Sequence, residues 1–232
     1  MIQVDALIIG AGPIGGYLAK KLCQAGHTVL MIEEHNQIGR PFQCAGLVNP
    51  GSMEKVGLES TALTRIWGAR IHGPGGTLVE IGSPERTRTW SVCRKLFDEA
   101  VVAQAISAGG SLMLNSTPKG TSISDEYVVT TISTDNTELT VKSKVVLGCD
   151  GAHSWVRRYH RMGRVRETMI GFQIDVTGYL HKEGKLDMYT GQQIAPGFFA
   201  WAIPTGTTTR IGTFSRPDPV SYTHLTLPTK KR

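Results

Sequence analysis

The chain has 232 residues, 40% hydrophobic and 19% charged, with a formal net charge of +6. That length allows one large core or two modest ones, and the composition excludes collagen-like, fibrous and disordered classes. The charge falls to +3 when Lys230, Lys231 and Arg232 are set aside, because the last fourteen residues carry no acid; so small an excess implies no nucleic-acid partner.

The first residues, MIQVDALIIGAG, lack a basic leader and run straight into glycines, which reads as a buried strand over Val4 to Ile9 and not as a signal peptide. Pro13 to Ala25 follows as a helix: Ile14, Leu18 and Leu22 recur at helical spacing, Pro13 suits the first turn, and Gly26 stops it. Thr28 to Ile32 is a second strand that ends at Glu33. Gly10, Gly12 and Gly15 fit G-x-G-x-x-G between that strand and helix, where a pyrophosphate can meet helix N–H groups at close range. Glu33, 23 positions after Gly10, stands where a carboxylate accepts the ribose hydroxyls, and it would repel the 2′-phosphate of NADP.

Residues 36–50 are irregular. Trp67 to Ile81 reads as two strands around the turn Gly73-Pro74-Gly75-Gly76. Arg94 to Ala108 is a helix with Leu96, Phe97, Ala100, Val101, Ala105 and Ile106 on its apolar face. Three strands are expected next, over Ser111 to Leu114, Tyr127 to Ser133 and Thr137 to Val141, with Asp135-Asn136 as a tight turn. Lys144 to Gly148 is another buried strand, delivering Asp150 at its carboxyl end. From Ile170 to Phe214, aromatic and β-branched residues alternate with glycine turns, as in an antiparallel sheet of a second domain. The four cysteines, Cys23, Cys44, Cys93 and Cys149, form no CxxC pair or metal spacing, which favours a reducing, cytosolic compartment. No apolar run approaches the ~20 residues that span a bilayer.

Three further segments carry chemistry. Cys149-Asp150-Gly151-Ala152-x-Ser154-x-x-Arg157 resembles the Asp-Gly motif of the flavoprotein hydroxylase and geranylgeranyl reductase superfamily; read alone, Asp150 equally caps an ordinary strand-to-helix turn. RPFQCAGLVNP, Arg40 to Pro50, narrows the resemblance to the geranylgeranyl reductases, in which a Cys-x-Gly-Leu-type loop lies beside the flavin. Pro196 to Pro204, PGFFAWAIP, is similar to that family's Tyr-x-Trp-x-Phe-Pro segment. Here Phe199 replaces the tyrosine and Ile203 the phenylalanine, so the apolar character survives without the phenol.

The resemblance implies an α/β fold with a Rossmann-type FAD-binding domain over 1–164, bearing an inserted hairpin at about 65–90, and part of an antiparallel β substrate domain over 165–218. It implies FAD as cofactor, with Cys44, Ala45 and Leu47 lining the flavin, Arg94 approaching the FAD phosphates, Pro118 near the adenine through its carbonyl, and Asp150 near the cofactor. Phe199, Trp201 and Ile203 would line an isoprenoid cavity. The implied activity is FAD-dependent reduction of geranylgeranyl double bonds in membrane lipids, with NAD(P)H or ferredoxin as the external electron donor. The arginines Arg157, Arg158, Arg161, Arg164 and Arg166 read as a solvated face or as a site for an anionic, peripheral membrane surface. Three alternatives stand beside this reading: a group A flavoprotein monooxygenase, an electron-transfer flavoprotein:quinone oxidoreductase-like carrier, and an inactive fragment. The last follows from the tail. PVSYTHLTLPT resembles a translated sequencing adapter, and no Gly-Asp dipeptide, the family's later ribityl-binding signature, occurs in the 232 residues. The expectation is a chain interrupted near Asp218.

Overall fold

A computed structural model describes residues 1–135 and 137–216. The adapter-like tail and Asn136 lie outside the described residues. The chain divides into two compact units. The first comprises 1–43, 56–61 and 94–164; the second comprises 44–55, 62–93 and the residues from 165 onward.

The first unit is a six-stranded mixed sheet in the order Ser111–Met113, Val29–Ile32, Ile2–Ile9, Thr137–Gly148, Val128–Thr134, Ser116–Ile123. Its first four strands are parallel, and the last two join antiparallel. Strand Ile2–Ile9 sits at the centre and supplies both cores through the two-residue alternation of a strand. Ala6 and Ile8 pack with Val29, Met31, Ala19, Val102 and Ala105 on one face. Leu7 and Ile9 pack with Leu30, Ile32, Ile132, Val141 and Val156 on the other. The helices Pro13–Gln24 and Arg94–Ser107 form as the apolar spacing predicts. Gly16 lies where they meet: a Cβ there would come within 3.0 Å of Val102.

Two expectations for this unit change. The strands expected at Thr137 to Val141 and Lys144 to Gly148 are one twelve-residue strand, Thr137–Gly148. Ser143 is paired in the ladder and buried, so the polar run Lys142-Ser143-Lys144 does not break it. Strand Ser116–Ile123 was not expected, because Pro118 and Gly120 disfavour a strand; it lies at the sheet edge, with an irregular register opposite Thr131 and Ile132.

The second unit is a six-stranded sheet in the order Ile170–Val176, Thr209–Ser215, Phe199–Pro204, Lys185–Thr190, Gly68–His72, Leu78–Gly82, accompanied by a three-stranded sheet of Leu47–Val48, Thr89–Val92 and Ala62–Ile66. The expected hairpin forms, with Gly68–His72 antiparallel to Leu78–Gly82. It joins the sheet through a parallel pairing of Gly68–His72 with Lys185–Thr190. The small sheet and the short helix Pro50–Val56 were not foreseen. Alternation splits the large sheet into unlike faces. Phe199, Trp201 and Ile203 share one face with Leu186 and Met188, while Arg70, His72, Asp187 and Tyr189 share the other.

The buried charge of the second face is satisfied internally. Asp187 has no exposed surface and accepts from Arg70 Nη2 at 2.7 Å, with His72 Nε2 at 2.6 Å. His72 stacks on Tyr189 at 4.4 Å. Burial alone would raise the Asp187 pKa, but the bonds from Arg70, His72 and Tyr179 outweigh it and hold the carboxyl below its ordinary value.

Candidate functional site

The first unit builds an open backbone cradle from three glycines with three different duties. Gly10 has φ +96°, and a Cβ there would lie 2.4 Å from the Cys149 carbonyl oxygen. The glycine loop and the Cys149-Asp150 loop therefore touch backbone to backbone, as the ends of neighbouring parallel strands. Gly15 lets the helix approach its strand, since a Cβ would meet the Gly10 carbonyl oxygen at 2.0 Å. Gly12 is different: nothing lies within 4 Å of where its Cβ would be. It is the N-cap of the helix, and no side chain caps that end. An uncapped helix N-terminus beside open space, entered through Pro13, is the arrangement that receives an anionic pyrophosphate.

Glu33 ends its strand half-buried. Its Oε2 accepts from the Ala11 N–H at 3.0 Å, and its Oε1 accepts from the His35 N–H at 3.2 Å, with the His35 Nδ1 at 2.5 Å. One oxygen thus braces the glycine loop while lone pairs remain for further donors. His35, about one-third exposed, stands at the same carboxylate; the sequence gives no sign of it beyond its nearness to Glu33.

Asp150 Oδ2 accepts from the Val156 N–H at 3.0 Å, and Ser154 Oγ accepts from the Arg157 N–H at 3.0 Å, so the motif caps the helix Trp155–Tyr159 twice. Arg157 Nη1 donates to the Gly163 carbonyl at 3.2 Å. Ser154 and Arg157 thereby stabilise the turn and helix. Burial, then the Asp150 charge, raises the Cys149 thiol pKa, which disfavours the thiolate. Arg94 grips Asp98 one turn on, Nε to Oδ1 at 2.8 Å and Nη2 to Oδ2 at 2.9 Å. Asp98 is buried, and that burial outweighs the arginine and raises its pKa. Pro118 lies half-buried in its edge strand opposite Ile132, at the register shift. Arg158, Arg161, Arg164 and Arg166 are exposed.

The remaining candidates belong to the second unit. Cys44 is half-buried, and its Sγ accepts from the Gly46 N–H at 3.5 Å. Leu47 is 39% exposed. Ala45 packs against the cluster formed by Ile66, Ala69, Leu186, Trp201 and Ile203. Trp201 and Ile203 are 5% and 1% exposed, so both serve first as core of their sheet. Phe199 keeps a partly open face, with Phe198 stacked on it at 4.3 Å and Phe214 set edge-on to Phe198 at 5.2 Å. Phe198 and Phe214 are each 36% exposed; sequence reasoning passed over Phe214, although its place on the same face as Trp201 follows from pairing once the register is known. Gln173 and Arg210 were also missed. Gln173 Nε2 donates to the Cys44 carbonyl at 3.1 Å, and Arg210 Nη1 donates to the Ala45 carbonyl at 2.9 Å.

A sheet of four parallel strands with a glycine cradle at their carboxyl edge, an acid ending the second strand, and a strand-end aspartate loop touching the cradle define a dinucleotide-binding flavoprotein fold. The chain belongs to the FAD binding domain family, whose pattern matches residues 3–210. Among its relatives, the digeranylgeranylglycerophospholipid reductase of Methanosarcina acetivorans is 32% identical over 213 residues, 87% of this chain and 52% of that protein. The digeranylgeranylglycerophospholipid reductase 1 of Methanothermobacter thermautotrophicus is 29% identical, covering 96% of this chain and 59% of that protein. The chain thus spans a little over half the length of these relatives. A geranylgeranyl bacteriochlorophyll reductase-like protein from Thermoplasma acidophilum shares the fold, with a TM-score of 0.83 and 24% identity over 97% of this chain and 58% of that one.

Proposed function

We propose that this chain carries the FAD-binding part of a reductase that saturates geranylgeranyl double bonds on membrane glycerophospholipids. The observation behind the cofactor is the open Gly12 cradle at an uncapped helix end, flanked by Glu33 and abutted by Asp150. Support for the substrate class comes from the relatives' names and from the apolar character of Phe199 and its ring neighbours. FAD supplies hydride chemistry when bound. In this reading the first unit's Gly10, Gly12 and Gly15 admit the pyrophosphate, Glu33 accepts the ribose hydroxyls, Arg94 adds positive charge near the phosphates, and the Pro118 carbonyl contacts the adenine. Asp150, by capping the following helix, fixes the second loop at the cofactor. In the second unit the Cys44–Leu47 loop lines the flavin, and Phe199, backed by Trp201 and Ile203, excludes water from the isoprenoid. The exposed arginines from Arg158 to Arg166 meet an anionic membrane surface. Among the described residues no helix is long and apolar enough to cross a membrane.

The test is anaerobic incubation of the FAD-loaded protein with a chemical reductant and a digeranylgeranyl glycerophospholipid, read by mass spectrometry. Addition of two hydrogens per double bond is expected. Oxygen consumption matched by hydroxylation of an aromatic substrate would overturn the reading in favour of a monooxygenase.

A further inference from the structure

Three successive carbonyls of the Cys44–Leu47 loop are each claimed by a donor from elsewhere in the second unit. Gln173 Nε2 takes the Cys44 oxygen at 3.1 Å, Arg210 Nη1 the Ala45 oxygen at 2.9 Å, and the Val92 N–H the Gly46 oxygen at 2.8 Å. The only cis peptide bond among the described residues is Arg40-Pro41, so the peptides from Cys44 to Leu47 are trans. In a trans peptide the N–H points opposite to the preceding carbonyl. Fixing the Cys44 and Gly46 oxygens therefore turns the Ala45 and Leu47 N–H groups away from the groups that hold the oxygens. Between them Gly46 has φ +78°, and a Cβ there would lie 2.5 Å from the Val92 oxygen and 2.8 Å from Arg210 Nη1. A left-handed glycine between two such N–H groups is the backbone pattern on which donor concavities for electron-rich oxygen or nitrogen are built.

Arg210 is 3% exposed, near the start of strand Thr209–Ser215, and a buried arginine is costly unless it is well paired. Its fork is divided: Nε and Nη2 bind Asp175 at 3.0 and 3.3 Å, leaving Nη1 for the loop. Gln173 and Asp175 alternate along one strand opposite Gly212 and Arg210, so one face of a strand pair delivers both loop contacts. We infer that Arg210, anchored by Asp175, and Gln173 are positioning residues that hold the Cys44–Leu47 loop with its Ala45 and Leu47 N–H groups turned outward to receive the flavin's polar edge. This rests on the FAD reading for the identity of the acceptor, while the clamp itself rests on the hydrogen bonds.

The experiment compares the full chain with Arg210→Lys, which keeps the charge and loses the fork, and with Gln173→Leu, which removes one donor without touching charge. Amide hydrogen exchange is measured without FAD, and flavin affinity and visible circular dichroism are measured after adding it. Exchange at Val92, whose N–H holds the Gly46 oxygen, is expected to rise about tenfold in both variants, with strand Lys185–Thr190 unchanged, and FAD affinity to fall by about the same factor, as loss of one charge-assisted or neutral bond gives. Exchange that rises equally throughout the unit means the residues only stabilise the fold, and overturns the inference. Normal Val92 exchange with normal FAD uptake overturns it too. A wild-type chain that takes up no FAD but shows the local exchange response keeps the clamp and removes the flavin as its ligand.

Discussion

Gly12 and Gly15 are three positions apart in one motif, yet their environments predict opposite consequences for the same substitution. Gly15 is pressed against the Gly10 carbonyl, so Gly15→Val forces the helix off its strand at a cost of about 1–3 kcal/mol or more. Gly12 adopts φ −74° and ψ −173°, which any residue tolerates, and faces open space. Gly12→Val should cost no more than about 1 kcal/mol of stability, the loss from a poorer N-cap, while filling the cradle and abolishing FAD uptake. Thermal melts and flavin titrations of the two variants check this directly; equal loss of stability in both would refute it. Asp187 supports a second prediction at this scale. Its carboxyl pKa is held below the ordinary value, so its stabilisation is full above about pH 4 and is lost as pH falls through the depressed folded value. Asp187→Asn leaves Arg70 without its buried counter-ion and should cost about 3 kcal/mol at pH 7. The gap from wild type should shrink as the solution is acidified, since the wild type alone loses this contribution; urea melts across pH 3 to 7 read both numbers.

Among the elements, the short helix Trp155–Tyr159 shows how a motif with a functional resemblance also performs local work. Its five residues cannot sustain a helix alone. Two carboxylate and hydroxyl acceptors, Asp150 and Ser154, bind its first N–H groups, and Trp155 stacks on Tyr159 at 4.4 Å. Ser154→Ala should therefore lower stability by about 1 kcal/mol in chemical denaturation, with FAD affinity weakened only as far as the Asp150 loop loosens. The parallel strands and the two long helices were legible in the sequence because each carries its own period: a run of apolar residues ending at Gly10, and Leu18 and Leu22 one turn apart. Strand Ser116–Ile123 was not, because its polar and glycine residues form a strand only when Val128–Thr134 offers a ladder. The small sheet of Leu47–Val48, Ala62–Ile66 and Thr89–Val92 escaped for the same reason: two of its strands have partners about 25 to 45 positions away in sequence.

For the whole molecule, the second unit is assembled from three stretches of chain, and its parallel pair joins Gly68–His72 to Lys185–Thr190 across more than a hundred residues. Native-state hydrogen exchange in rising urea should show these two strands opening together, at a free energy separate from that of strand Ile2–Ile9. Should Gly68–His72 instead exchange with Ile2–Ile9, the division into units would fail. Salt supplies a further check on the membrane proposal: sedimentation with anionic vesicles should fall as ionic strength rises, and Arg158, Arg161 and Arg164 changed together to Glu should abolish it.

The sequence by itself determined the β-α-β start, the glycine cradle with its terminal Glu33, and the second loop at Asp150, because tight turns and close helix–strand contact demand particular residues at fixed short spacing. Tertiary structure alone decided that Gly10 and Cys149 meet, that Trp201 and Ile203 are spent mainly on the core while Phe199 stays partly open, and that Gln173 and Arg210 hold the Cys44–Leu47 loop. Those facts depend on strand order and register, which bring together residues more than a hundred positions apart, and no local pattern of side chains encodes such a meeting.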